Sequence, residues 1–205
     1  MSMPVLTYGC TRCELRGWSS QTWGYRYYSV DGQRLRMRSA MGWCHACGQI
    51  VAVERRPDLP AEQSLQLELS TLREQLANVP PVQKGRRRWW FGPVSKTPEQ
   101  RALEASITSV ERELSEIRLL LSLMGDRQES DRCLSCGSQA CFHLPAAPVA
   151  ASFDFYSESP QSLACEHPGC GGLFTVCNEG VRFSIRPASR AYDLRGMPLG
   201  PWYDM

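Results

Sequence analysis

Ten cysteines stand in a chain of 205 residues, and most of them come in pairs. Cys10 and Cys13 form one CxxC turn, Cys44 and Cys47 a second followed by Gly48, and Cys133 and Cys136 a third followed by Gly137. Cys165 and Cys170, in the run CEHPGCGG, supply a fourth turn that is two residues longer. Each turn offers two soft thiolates at close quarters, and two turns together complete the tetrahedral shell that Zn²⁺ prefers. Taking neighbours along the chain gives the sets Cys10, Cys13, Cys44, Cys47 and Cys133, Cys136, Cys165, Cys170, and an expectation of two structural zinc ions. Four thiolates leave no position for water, which argues against metal-assisted hydrolysis. Cys141, Cys177, His143 and His167 are left over, and any of them could replace a ligand in the irregular second set. The start MSMPVLTYGC has no basic segment followed by an apolar stretch, so export is not expected, metal is preferred to disulfides, and a cytoplasmic location is the expectation.

Between the first two turns lies a hairpin signal. Strand-like Trp23 to Val30 and Gln33 to Ser39 flank Asp31-Gly32, a strong two-residue turn, and Ile50 to Glu54 reads as a third strand. With its knuckles this stretch, residues 10 to 54, resembles a zinc ribbon built on rubredoxin-like knuckles. The second cysteine set, followed by the short strand LFTV, also resembles one.

The middle of the chain has a different period. Leu65, Leu69, Leu72, Leu76 and Val79 recur in steps of four and three, as do Leu103, Ile107, Val110, Leu114, Ile117, Leu121 and Met124. That spacing predicts two helices zipped together. Pro80 and Pro81 end the first, Thr97, Pro98 and Gln100 open the second with a capping box, and Gly125 stops it. Apolar Leu67, Leu119, Leu120 and Leu123 lie outside the seam and suggest a buried base. The expected fold class is therefore α+β, with two small β zinc ribbons joined by an antiparallel α-helical coiled-coil hairpin. Its parts would be an N-terminal ribbon over 1–57, the hairpin over 58–125 with a tip at 80–97, a C-terminal ribbon over 126–188 and an irregular tail over 189–205.

Two surfaces could bind a partner. The tip places Lys84, Arg86, Arg87 and Arg88 before Trp89, Trp90 and Phe91, a pairing of cations and planes that suits phosphates and stacked bases. On the ribbon hairpin a two-residue turn sets Ser29 opposite Arg34, Tyr27 opposite Arg36 and Tyr25 opposite Arg38. That face again alternates rings with guanidinium groups, while Val30, Tyr28, Leu35 and Met37 point to the core, with Arg26 the exception on that side. Such a zinc-based arm resembles the bacterial transcription factors that insert a coiled coil into RNA polymerase, but those carry acidic tips and this one is basic, so their activity is not implied. No catalytic triad, HExxH, P-loop or GxGxxG pattern is present, and an enzyme is not expected. The net charge of +2 gives no global pull toward polyanions, and no apolar run approaches the ~20 residues of a membrane span. The expected partner is nucleic acid or a nucleoprotein complex; the alternative is an adaptor whose tip fills an acidic or apolar protein groove.

Overall fold

The computed structural model describes residues 2–80, 96–145, 159–184 and 188–204. Lys84, Arg86, Arg87, Arg88, Trp89, Trp90 and Phe91 lie outside the described residues. In chain order the strands of the first part are β1 (Ser2–Pro4), β2 (Thr7–Cys10), β3 (Arg16–Trp18), β4 (Tyr25–Val30), β5 (Gln33–Arg36), β6 (Arg38–Cys44) and β7 (Gln49–Arg55). Two helices follow, α1 (Leu59–Asn78) and α2 (Pro98–Met124). The chain then returns to strands, β8 (Cys141–His143), β9 (Gln161–His167), β10 (Gly172–Cys177), β11 (Arg182–Ser184), β12 (Ala188–Tyr192) and β13 (Tyr203–Asp204).

These strands make four sheets, in the orders β1-β11, β3-β2-β10-β9, β13-β12-β4-β5 and β7-β6-β8. Every one of them joins a strand from before the helices to a strand from after them. Two ribbons linked by a coiled-coil hairpin are thus not what forms: the molecule is mostly β, and residues 1–56 build one compact unit with residues 126–205. The reason lies in the apolar faces. Tyr8, Trp43 and Ile50 from the first part bury themselves against Leu144, Leu163, Phe174 and Val176 from the second, a shared core that neither part could fill alone. Nor are residues 189–205 an irregular tail, since β12 runs parallel to β4, with Ser189 beside Tyr25 and Tyr192 beside Tyr28, and β13 pairs with β12.

The strand expected over Gln33 to Ser39 divides at Met37. Its amide bonds the Arg26 carbonyl at 2.9 Å and its side chain is buried, so the chain leaves β4 there and enters a different sheet. Arg38 accordingly pairs with Arg55 of β7, not with Tyr25.

Residues 57–125 form the second unit. Asp58 caps α1 by accepting the Ala61 amide, and Thr97 with Gln100 closes a full capping box on α2. Leu65 and Leu69 of α1 pack with Val110, Leu114 and Ile117 of α2. Leu67, Leu119 and Leu123 lie off that contact face and are exposed, whereas Leu120 is buried.

Candidate metal centres

Each metal-ligand pair sits on a tight turn, and the turns repeat one hydrogen-bond pattern. The amide of Gly48 bonds the carbonyl of Cys44 at 2.9 Å, that of Gly137 bonds Cys133 at 2.8 Å, and that of Gly171 bonds His167 at 3.2 Å. All three glycines have positive φ, 62°, 76° and 63°, which side chains with a Cβ adopt at a cost. Amides also point at the sulfurs: Arg12 to Cys10 at 3.5 Å, Cys47 to Cys44 and Gly172 to Cys170 at 3.4 Å each. At Cys10 such a bond favours thiolate over thiol, the form that binds a metal. In the third of the glycine-closed turns the first position is held by His167, not by Cys165.

The turns meet in pairs, but not as neighbours along the chain. Cys44 and Cys47, from the β6-β7 turn, join Cys133 and Cys136, with Cys44 Sγ 3.7 Å from Cys136 Sγ and Cys47 Sγ 3.8 Å from Cys133 Sγ. This is the inner group. Cys10 and Cys13, following β2, join His167 and Cys170 on the β9-β10 turn to form the outer group. There the Cys10 and Cys170 sulfurs are 3.4 Å apart, and His167 Nδ1 lies 3.1 Å from Cys170 Sγ and 3.4 Å from Cys13 Sγ. Within each group all four donor atoms lie within 4.8 Å of one another, so both groups could hold a metal ion.

The expected ligand sets therefore need correction. The first and fourth turns pair, as do the second and third, and Cys165 belongs to neither group. Strand pairing imposes this, because β10 lies against β2 with Phe174 beside Cys10, and Val53 bridges to Cys133. Cys165 instead packs at the edge of the main core, Cys177 is buried with its sulfur 3.8 Å from the Thr7 carbonyl, and Cys141 bonds the Asp131 carbonyl at 3.4 Å beside the inner group. His143 is occupied elsewhere, its Nε2 being 2.9 Å from Asp131. The sequence carries a signal for His167: His-Pro-Gly-Cys-Gly keeps the two-residue spacing of the other knuckles, which Cys165 breaks, and the terminal glycine of the second and third.

Environment sets the thiols apart. At Cys10 burial opposes ionisation, but the Arg12 amide and the neighbouring Cys170 and His167 outweigh it and draw the pKa down to about 6. At Cys133 burial leads, aided by Cys136 and Cys44, and the pKa rises to about 11 despite the amides of Cys136 and Ser135. His167 is wedged between rings, with Trp43 at 4.5 Å and Phe174 at 5.0 Å, which fixes its imidazole plane. Gly172 is needed beside it, since a Cβ there would come 2.5 Å from Cys10 Sγ.

A buried ion pair, which the sequence motifs do not reveal, braces the inner group. Glu54, 0% exposed at the end of β7, receives both Nη atoms of Arg127 at 2.7 Å and the Tyr28 hydroxyl at 2.6 Å. It also accepts the amide of Arg132, the residue before Cys133, at 3.2 Å. Nearby, Asp131 bridges Arg56 at 2.7 Å and His143; although burial works against it, these partners hold its carboxyl below the ordinary value.

The expected aromatic-basic face is placed in part. Tyr27 pairs with Arg36 and Ser29 with Arg34 around Asp31-Gly32, both at positive φ. Tyr25, Arg34 and Arg36 are exposed, Tyr27 is half-buried with the Arg34 guanidinium 4.8 Å over its ring, and Tyr28, Leu35 and Met37 are buried on the other side. No family model, curated protein or solved structure matches the chain.

Proposed function

We propose that this is a non-catalytic zinc protein that binds nucleic acid through the Tyr25, Tyr27, Arg34, Arg36 face, with the basic-aromatic run Lys84 to Phe91 adding phosphate and stacking contacts. The observation that carries the reading is the register of β4 and β5, which sorts rings and guanidinium groups onto solvent while the alternate residues fill the core. Exposed Tyr25 offers a free ring for a base, and Arg34 and Arg36 offer charge for the backbone. Zinc is supported by the donor chemistry. A tetrahedron with Zn–S bonds of ~2.3 Å has edges of about 3.8 Å, and the inner-group contacts of 3.7 and 3.8 Å fit it. Sulfur with one imidazole nitrogen in the outer group is an equally ordinary zinc set.

The test is titration of labelled single-stranded and duplex oligonucleotides across a range of salt. Arg34→Ala with Arg36→Ala should lower the magnitude of the log–log salt slope by about two units, and Tyr25→Ala should cost about 1 to 3 kcal/mol on single strands with little change in slope. Metal-loaded protein that binds neither form at low salt overturns the proposal.

A further inference from the structure

The tyrosine-arginine face does not end at β4. β12 lies parallel to β4 with Ala191 beside Tyr27, and past β12 the chain returns antiparallel: the Leu199 amide bonds the Ala191 carbonyl at 3.0 Å, and Pro198 bridges to Tyr192. Residues opposite one another across a sheet share a face, so Leu199, Ala191, Tyr27 and Arg36 form one row on the solvent side, while Tyr28 and Tyr192 are fully buried on the other. Leu199 is 56% exposed and Tyr25, next along β4 on the same face, 63%; Ala191 and Tyr27 are half-buried.

The row is graded from apolar to cationic. With strands ~4.8 Å apart, Tyr27 lies ~5 Å and Ala191 ~10 Å from Arg36, which sets a ring and then an apolar shelf beside the charge. Arg34, on the same margin as Arg36, has its guanidinium carbon 4.8 Å over the Tyr27 ring, and such guanidinium planes themselves stack on bases. Among the described residues neither Arg34 nor Arg36 is in an ion pair. The nearest acids do not occupy the row: Asp193 accepts the Arg195 and Met197 amides at 2.9 and 2.8 Å, and Asp31 sits in the hairpin turn.

We propose that this face takes single strands and not duplex, with the backbone along β5 at Arg34 and Arg36 and unstacked bases laid across β4 onto Ala191 and Leu199. The inference rests on the function proposed above and names its substrate class; it also brings Leu199, near the end of the chain, into the site. A duplex hides the faces of its bases and shows only their edges in the grooves, so a flat apolar shelf beside the charge has nothing to meet there. A single strand can splay its bases onto such a surface. Tyr25 and Tyr27, two residues apart, stand ~7 Å apart along β4, twice the ~3.4 Å rise between stacked bases, so bases resting on both must be unstacked.

Fluorescence anisotropy on metal-loaded, full-length protein at low salt tests this with three labelled probes: a mixed-sequence strand, the same strand carrying abasic sites, and a hairpin duplex. Leu199→Glu, at an exposed position, should weaken the strand at least about tenfold and leave the duplex unchanged, and Leu199→Ser should weaken the strand less. The abasic strand should bind at least about tenfold more weakly than its base-bearing twin but with the same salt slope, because its phosphates are intact. Circular dichroism and metal content check both variants. Strand binding unchanged in Leu199→Glu, duplex binding weakened as much as strand binding, or an abasic strand held as tightly as its twin overturns the proposal while the function proposed above stands. Absence of binding to strand and duplex alike overturns both, and capture of a glutamate–tyrosine copolymer in that case assigns the face to an acidic protein segment.

Discussion

In the inner ligand group Cys44 and Cys133 are fully buried and Cys136 is exposed, whereas in the outer group His167 alone is buried and Cys13 is exposed. The inner group also offers a metal four sulfur donors, against three sulfurs and one imidazole nitrogen in the outer group. Buried thiolates without a neutralising ion are costly, and the alternative of protonation leaves four thiols crowded in a core. Exposed thiolates can instead be hydrated. The difference implies that equal ligand counts need not mean equal roles: an ion in the inner group would be a condition of folding, and one in the outer group would fasten structure that already exists.

The largest effect should come from Cys44→Ser or Cys133→Ser. Either should remove one metal and destabilise the β unit by on the order of 5 kcal/mol or more, while Cys13→Ser removes one metal at a clearly smaller cost. Metal analysis with thermal denaturation reads both, and equal losses would erase the distinction. Next is Glu54→Gln, which leaves the buried Arg127 guanidinium without its counter-charge at a cost of about 3 to 5 kcal/mol. Chelator competition should then strip the inner ion faster and leave the outer rate unchanged. Asp131→Ala should cost about 1.5 to 3 kcal/mol by releasing Arg56 and His143, again weakening only the inner group. The smallest effect should be that of Cys165→Ser, within about 0.5 kcal/mol and with both metals retained, while His167→Ala loses the outer ion and His167→Cys keeps it. Loss of metal in Cys165→Ser would reassign the outer ligand.

Local features were legible in the sequence and long-range ones were not. Asp31-Gly32 fixed the β4-β5 register because a two-residue turn leaves no freedom, and Thr97 and Gln100 marked the start of α2 because capping is settled within one turn. Which knuckles meet depends on contacts between residues 86 to 160 positions apart, and nothing local encodes that choice. Pairing the knuckles by proximity along the chain gives two separate ribbons, which the strand pairing overrides. Glu54 looked like the polar end of a strand because Arg127, its partner, lies beyond both helices. The outer histidine was within reach, since spacing alone distinguishes His167 from Cys165.

The nesting of the two ligand groups has a consequence for the order of synthesis. When residues 1–56 leave the ribosome they carry β1 to β7, but each sheet still lacks at least one strand and each ligand group has only half its donors. The inner group is completed only with Cys136, 92 residues after Cys44, and the outer group only with Cys170, 160 residues after Cys10. At ~5 to 20 residues per second the first thiols wait roughly 8 to 32 s for their partners. Through that interval the nascent chain exposes open strand edges and unliganded cysteine pairs, while α1 and α2, both within residues 57–125, can already pack on each other. Folding must therefore close from the inside outward, with the chain's first strands among the last to be secured.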